Sequence, residues 1–186
     1  MGVALLLLHG LAEASRTEQV TFHAFFMKKF NTHRCTKCDY SLYDHVYTYS
    51  LKYFGFGLCK NCQKWLNEPD SRITIHSKRF YLALRCREVN VVLEQFDGHK
   101  HIDIAIKGDD LKLNLEIDGS QHYTDVAQSF ADLLRTYNSL LKGYYTLRLP
   151  NILVAEKLDE TADVVVDLLT FMRDKYQKEK AKKRKI

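Results

Sequence analysis

An α/β fold is predicted for this chain: a helix, a three-strand meander, then helix, strand and helix, with a small cysteine-rich module ahead of them. Three observations predict it. Residues 89–96 read as a strand, and apolar and polar residues alternate through 101–107 and 111–117, with Asp97-Gly98 and Gly108-Asp109 between the runs, as in strands joined by tight turns. Apolar positions recur at helical spacing on both sides of this block. Upstream lie two Cys-x-x-Cys pairs, Cys35/Cys38 and Cys59/Cys62.

Taken in order, Ser15-Arg16-Thr17-Glu18 has the form of a capping box, and Val20, Phe22, Phe26 and Phe30 follow at loosely helical spacing, so an N-terminal helical segment is expected over 1–31. The cysteine module spans 32–68. Between its pairs Tyr43, Val46, Tyr47, Tyr49, Tyr53, Phe54 and Phe56 favour short strands, and Gly55 and Gly57 permit the turn into Cys59. Asn67-Glu68-Pro69-Asp70-Ser71 is turn chemistry and marks the boundary with a larger domain over 69–174. There Ile73, Phe80, Tyr81 and Leu84 predict a helix over 73–88, with Cys86 as a core thiol. After the three strands, Val126, Phe130, Leu133, Leu134, Tyr137, Leu140 and Leu141 define the packing side of a helix over 125–142. A strand over 144–149 closes at Pro150, and a last helix runs from 159 to about 178. The sheet is expected to be mixed, in an α/β sandwich. Residues 175–186 form a basic tail, either a solvated helix end or a nucleic-acid contact.

With 186 residues, 46% of them hydrophobic, the chain can bury a real core, which excludes global disorder. The formal charge of +5 suits a polyanionic partner. The leading run Val3-Ala4-Leu5-Leu6-Leu7-Leu8 resembles part of a signal peptide, but no Lys or Arg precedes it, so a cytoplasmic location is expected. No apolar stretch approaches the ~20 residues needed to span a bilayer, and no membrane association is expected.

Two residues between the cysteines of each pair let both sulfurs point at one ion, so Cys35, Cys38, Cys59 and Cys62 are predicted to enclose a structural Zn²⁺ in a zinc ribbon. Four thiolates leave no open coordination position, so this zinc serves the fold and not chemistry. His33 and His45 lie close enough in sequence to compete as ligands. Trp65 is read as a hydrophobic anchor.

The second site sits on the meander. Period-two alternation puts Asp103 opposite the face of Ile102, Ile104 and Ile106, and Glu116 and Asp118 opposite that of Leu113, Leu115 and Ile117. Asp103 and Glu116 on paired strands can converge on one divalent ion, and Asp118 adds a further hard oxygen donor, a set that suits Mg²⁺ or Mn²⁺. Such an ion activates water and offsets phosphate charge, which is the chemistry of phosphodiester hydrolysis. Gly119 then lets the chain turn so that Gln121 and His122 can fold back over the site. The competing reading is a set of carboxylates on a solvated sheet face.

Ile102-Asp103-Ile104, Glu116-Ile117-Asp118-Gly119-Ser120-Gln121-His122, Arg135 and the run from Gly143 through Arg148 to Asn151 lie within 74–155, somewhat under half of the chain. This stretch resembles the PD-(D/E)XK nuclease superfamily, on the side of the branch related to very short patch repair endonucleases. The resemblance implies a restriction-endonuclease-like core with Asp103 and Glu116 as metal ligands. It sets Asp118 where many members carry a lysine, and gives His122 a proton-transfer or phosphate-contacting role. This sequence departs from the pattern twice: no lysine follows Glu116, and Ser77-Lys78-Arg79 stands where relatives often carry a glutamate, a loss that Glu94 or Gln95 would have to offset. The expected function is a metal-dependent endonuclease acting on DNA in preference to RNA, with the zinc module aiding substrate binding. The alternative is a catalytically inactive nucleic-acid-binding zinc-ribbon protein. A double-strand cut would call for two subunits or two sequential nicks, which leaves a homodimer or a partner protein open.

Overall fold

The computed structural model describes residues 33–70, 72–96, 101–108, 112–119 and 125–184. The helix expected within 1–31 and residues Gln121 and His122 lie outside these. The chain divides into two compact units, 1–63 and 64–186.

In the first unit, β1 (His33–Arg34) and β2 (Ser41–Leu42) form an antiparallel pair around the first cysteine knuckle. The knuckle is closed by Cys35 N donating to Tyr40 O and Asp39 N to Cys35 O, both at 2.8 Å, and Asp39 takes the left-handed conformation that the tight turn needs. Between the cysteine pairs runs a helix, α1 (Asp44–Phe54), where short strands were expected; the module is not a ribbon of strands. Val46, Tyr47, Ser50 and Phe54 turn inward at helical spacing, while Tyr49 and Tyr53 stay exposed. Aromatic residues at every second or third position satisfy both periods, and the termini decide: Asp44 complements the helix start, and Gly55 at φ 77° makes the left-handed C-cap. Ser50 Oγ donates to Phe56 O and accepts from Leu58 N, which locks α1 to the segment entering the second pair. Gly57 is required there, because a Cβ would lie 2.4 Å from the Tyr47 ring. Helix α2 (Lys60–Asn67) starts directly after Cys59, so Cys62 lies in its first turn, and the unit boundary falls within this helix.

The second unit holds α3 (Ile75–Cys86), β3 (Val91–Phe96), β4 (His101–Lys107), β5 (Lys112–Asp118), α4 (Val126–Leu141), β6 (Tyr145–Pro150), α5 (Asn151–Glu156) and α6 (Leu158–Lys183). The sheet order is β3-β4-β5-β6; the meander is antiparallel and β6 returns parallel to β5 after the α4 crossover. Thr74 caps α3 by accepting from Ser77 N. Helix α3 packs on β3, β4, α5 and α6. The core joins Phe80, Leu82 and Leu84 of α3 to Ile102, Ile104 and Ile106, to Leu113 and Leu115, and to Val154, Val165 and Leu169. Among the described residues no helix is long and apolar enough to cross a membrane.

Three expectations need correction besides the missing strands. Cys86 is exposed near the end of α3, because the inward face of that helix passes through Phe80, Ala83 and Leu84 and leaves position 86 outside. The last helix runs past its expected end near 178: α6 continues to Lys183, as its run of Lys, Glu and Ala favours, so most of 175–186 is a helix end. Among the described residues nothing covers the apolar side of α4. Val126, Phe130, Leu133, Tyr137 and Leu140 are exposed, and it is Asp132 and Ser139 that turn inward.

Lys78 is 1% exposed, and its Nζ donates to Trp65 O and Glu68 O at 2.8 and 2.7 Å while lying over the Trp65 ring. Trp65 O belongs to the last turn of α2 and Glu68 O follows directly after it, where a helix end leaves carbonyls without helical donors. Lys78→Met should therefore orphan two carbonyls and cost about 2–4 kcal/mol. Thermal unfolding is the measurement, and a loss on the order of 10 °C is expected.

Candidate functional site

The four cysteine side chains meet at one point, with all ligand atoms within 4.8 Å of one another. Cys38 Sγ lies 3.7 Å from Cys59 Sγ, too long for a disulfide and matching the roughly 3.8 Å between sulfurs set tetrahedrally ~2.3 Å from zinc. The donor set therefore fits Zn²⁺. The backbone holds the pieces in register: Thr36 N donates to Gly57 O at 2.8 Å, and Cys59 N points at Cys35 Sγ at 3.4 Å. Burial works against the Cys35 thiolate, but hydrogen bonds from the backbone of Cys59, Cys38 and Lys37 outweigh it and bring its pKa down to about 7. Burial first, then neighbouring cysteines, push Cys62 up; burial also leads the rise at Cys38. Cys35 is thus poised toward the thiolate, while Cys38 and Cys62 are held toward the thiol, a bias that a bound cation would reverse. His33 is stacked on Tyr47 and sits 3.3 Å from Asp44, while His45 stacks on Tyr43; neither belongs to the cysteine quartet.

The carboxylates lie on the other unit. Register carries Asp103, Asn114, Glu116, Asp118, Thr146 and Arg148 on one face of the sheet, with Glu116 paired to Arg148 and Asn114 to Thr146. This face is the reverse of the Ile102/Ile104 core, as alternation required, but it is not solvated: Asn114, Glu116 and Asp118 are 1%, 9% and 7% exposed. The β4–β5 ladder ends at Ile104↔Leu115. Beyond it the Asp103 side chain takes over, its Oδ2 accepting from Ile117 N at 2.8 Å. The two strands are joined here by a carboxylate, and Asp103 is held beside the Glu116 segment.

Asp118 is turned to a different partner. Arg148 Nη1 donates to Asp118 Oδ2 at 2.6 Å and approaches Asp132 Oδ2 of α4 at 3.3 Å, and Arg135 pairs with Asp132. Burial opposes the charged Arg148 guanidinium, but Asp118, Asp132 and Glu116 outweigh that and raise its pKa above the ordinary value. Along this stretch lie the carboxylates of Asp103, Glu116, Asp118 and Asp132, with Arg148 and Arg135 among their described partners. They do not form a second group of three ligand atoms as tight as the cysteines.

Gln95 does not join them: its register partner is Ile102, which puts it on the apolar face, and its Nε2 donates to Phe96 O. The residue on the carboxylate face is Glu94, facing Asp103 between the pairs Leu93↔Ile104 and Gln95↔Ile102. Its φ of 49° marks a local distortion of β3, and His101 Nδ1 lies 3.3 Å from its Oε2. Asn114 and Thr146 were missed in the sequence, although Asn114 stands two residues before Glu116 on the same face. Both Asn114 amide atoms and Thr146 Oγ1 are buried with no hydrogen-bond partner.

Arg148 is the cation on which this face depends. Arg148→Met should leave Asp118 buried without its guanidinium, while Arg135 still pairs with Asp132, at a cost of about 3–5 kcal/mol. Urea unfolding of the variant against the wild type checks it.

No protein-family model, curated protein or solved structure matches this chain, so the functional reading rests on its own residues.

Proposed function

We propose that the second unit hydrolyses phosphodiester bonds, as a metal-dependent endonuclease acting on DNA in preference to RNA, and that the zinc-holding cysteine module aids substrate binding. The observation that carries this reading is the junction of β4 and β5, where Asp103 stands beside Glu116 at the point where the backbone ladder stops. In the proposal, Asp103 and Glu116 hold a Mg²⁺ or Mn²⁺ ion. Such an ion, when bound, supplies Lewis-acid polarisation of a phosphate and acidification of a water. The chain's own residues do the rest. Asp103 keeps one oxygen engaged by Ile117 N–H, which fixes its orientation. Arg148, paired across the strands with Glu116, offsets the carboxylate charge and offers a guanidinium to a phosphate oxygen. His122, from the sequence motif, would move the proton. The PD-(D/E)XK resemblance supports the same assignment, and the net charge of +5 suits the substrate.

One observation favours a second reading, a binding module with a silent core: Asp118, at the position of the usual lysine, is engaged by Arg148. Supercoiled plasmid incubated with the protein and Mg²⁺, Mn²⁺ or chelator separates the two. Metal-dependent nicking or linearisation is expected. Salt-sensitive binding that survives chelation, without cleavage, would establish the silent module instead.

A further inference from the structure

The sixteen residues of α4 are two-sided in the opposite sense to an ordinary surface helix. Its two charged residues, Asp132 and Arg135, belong to the ion network with Arg148 on the sheet side. Its outer side carries no charge. Val126, Phe130, Leu133, Tyr137 and Leu140 follow one another at alternating spacings of four and three, each at least 55% exposed, with Leu134 and Leu141 beside them. That alternation is the seam of a helix that packs against another helix. Side chains of this size and exposure make an apolar face on the order of 700 Å², above the largest patch of a typical monomer and close to the ~800 Å² that each partner buries in a stable interface.

We propose that this face is a homodimer interface, in which α4 packs against α4 of a second copy about a two-fold axis. The occupant follows from the surface itself. An uncharged face gives no sign for a differently charged partner to match, whereas a 4-3 apolar seam is complementary to its own copy, as an isologous contact requires. Leu133 and Leu134 stand at the middle of Val126–Leu141 and would meet their symmetry mates near the axis. The area on each copy is what a stable dimer needs. The inference stands whether or not the carboxylate cluster cuts nucleic acid.

Sedimentation velocity of the full chain across a concentration series tests it. The expected result is a species of twice the 21.8 kDa chain mass, lost over the same range in the double variant Leu133→Glu, Leu140→Glu, with the circular dichroism of the wild type retained. Should that variant not fold, hydrogen exchange of the wild type at high and low concentration replaces it. Protection of the α4 amides that rises with dimer fraction supports the interface. A chain that stays monomeric up to ~100 μM, where interfaces of this area are populated, overturns it, and α4 protection in that monomer would assign the face to another segment of the same chain. A dimer that survives in the folded double variant, or whose α4 protection does not change with concentration, also overturns it.

Discussion

Glu116→Ala should abolish metal-dependent plasmid cleavage, with a fall of at least ~10³-fold, the loss of about 4 kcal/mol of transition-state stabilisation. The argument runs from position. Glu116 is buried in the middle of β5, paired to Arg148 on one side and adjoining the splayed end of β4 on the other. Its carboxylate cannot be replaced by a neighbour without shifting a strand. Asp103→Ala should act the same way and should also lose the bond from Ile117 N, at a cost of about 1 kcal/mol. The comparison with Gln95→Ala sharpens the test, because Gln95 lies on the apolar face by register and should leave cleavage within about twofold of wild type. Equal nicking by the wild type and by both carboxylate variants would remove the proposed mechanism.

The second large effect is expected at the cysteines. Cys62→Ser should release the metal and unfold residues 33–63. Apart from cysteines, the buried hydrophobic side chains described in that unit are Leu42, Phe56 and Leu58, too few to hold so small a module together unaided. Coordination would supply what the core does not, since structural zinc contributes roughly 10–16 kcal/mol of apparent binding free energy at neutral pH. The wild type should carry about one zinc per chain by elemental analysis, and Cys62→Ser close to none. Amide exchange in 33–63 should become unprotected in the variant while the β4 and β5 amides stay protected. A variant that keeps both its metal content and its protection would show that the quartet does not hold a structural ion.

Where residue pattern and local chemistry agree, the sequence was sufficient. The meander and the face shared by Asp103, Glu116 and Asp118 follow from period-two alternation, and β4 begins and ends where the alternation does. Two kinds of information were not local. The aromatic run after Tyr43 fits either period, and packing of Val46, Tyr47 and Phe54 joins the Asp44 and Gly55 ends in choosing the helix. The apolar side of α4 reads as core from periodicity, yet the buried side is the one that bears Asp132, because Arg148 on β6 draws that carboxylate inward. The choice between Glu94 and Gln95 is a one-residue matter of register, which flips the face and is set by pairing with β4 rather than by β3 alone. Which arginine meets Asp118 is likewise set by tertiary structure, since Arg148 is brought to it by the parallel return of β6 while Arg135 pairs with Asp132.

That parallel return has a consequence for the order in which the protein assembles. Asp103 and Ile117, joined across the meander, are separated by 14 positions, whereas Asp118 and Arg148 are separated by 30 with a whole helix between them. Short-range closure is entropically cheaper and faster, so the hairpins of the meander form before β6 docks. Through that interval the acidic cluster exists without its arginine and must remain hydrated. Arrival of β6 both completes the sheet and brings Arg148 to the cluster, so closing the hydrophobic layer and pairing Asp118 belong to one step.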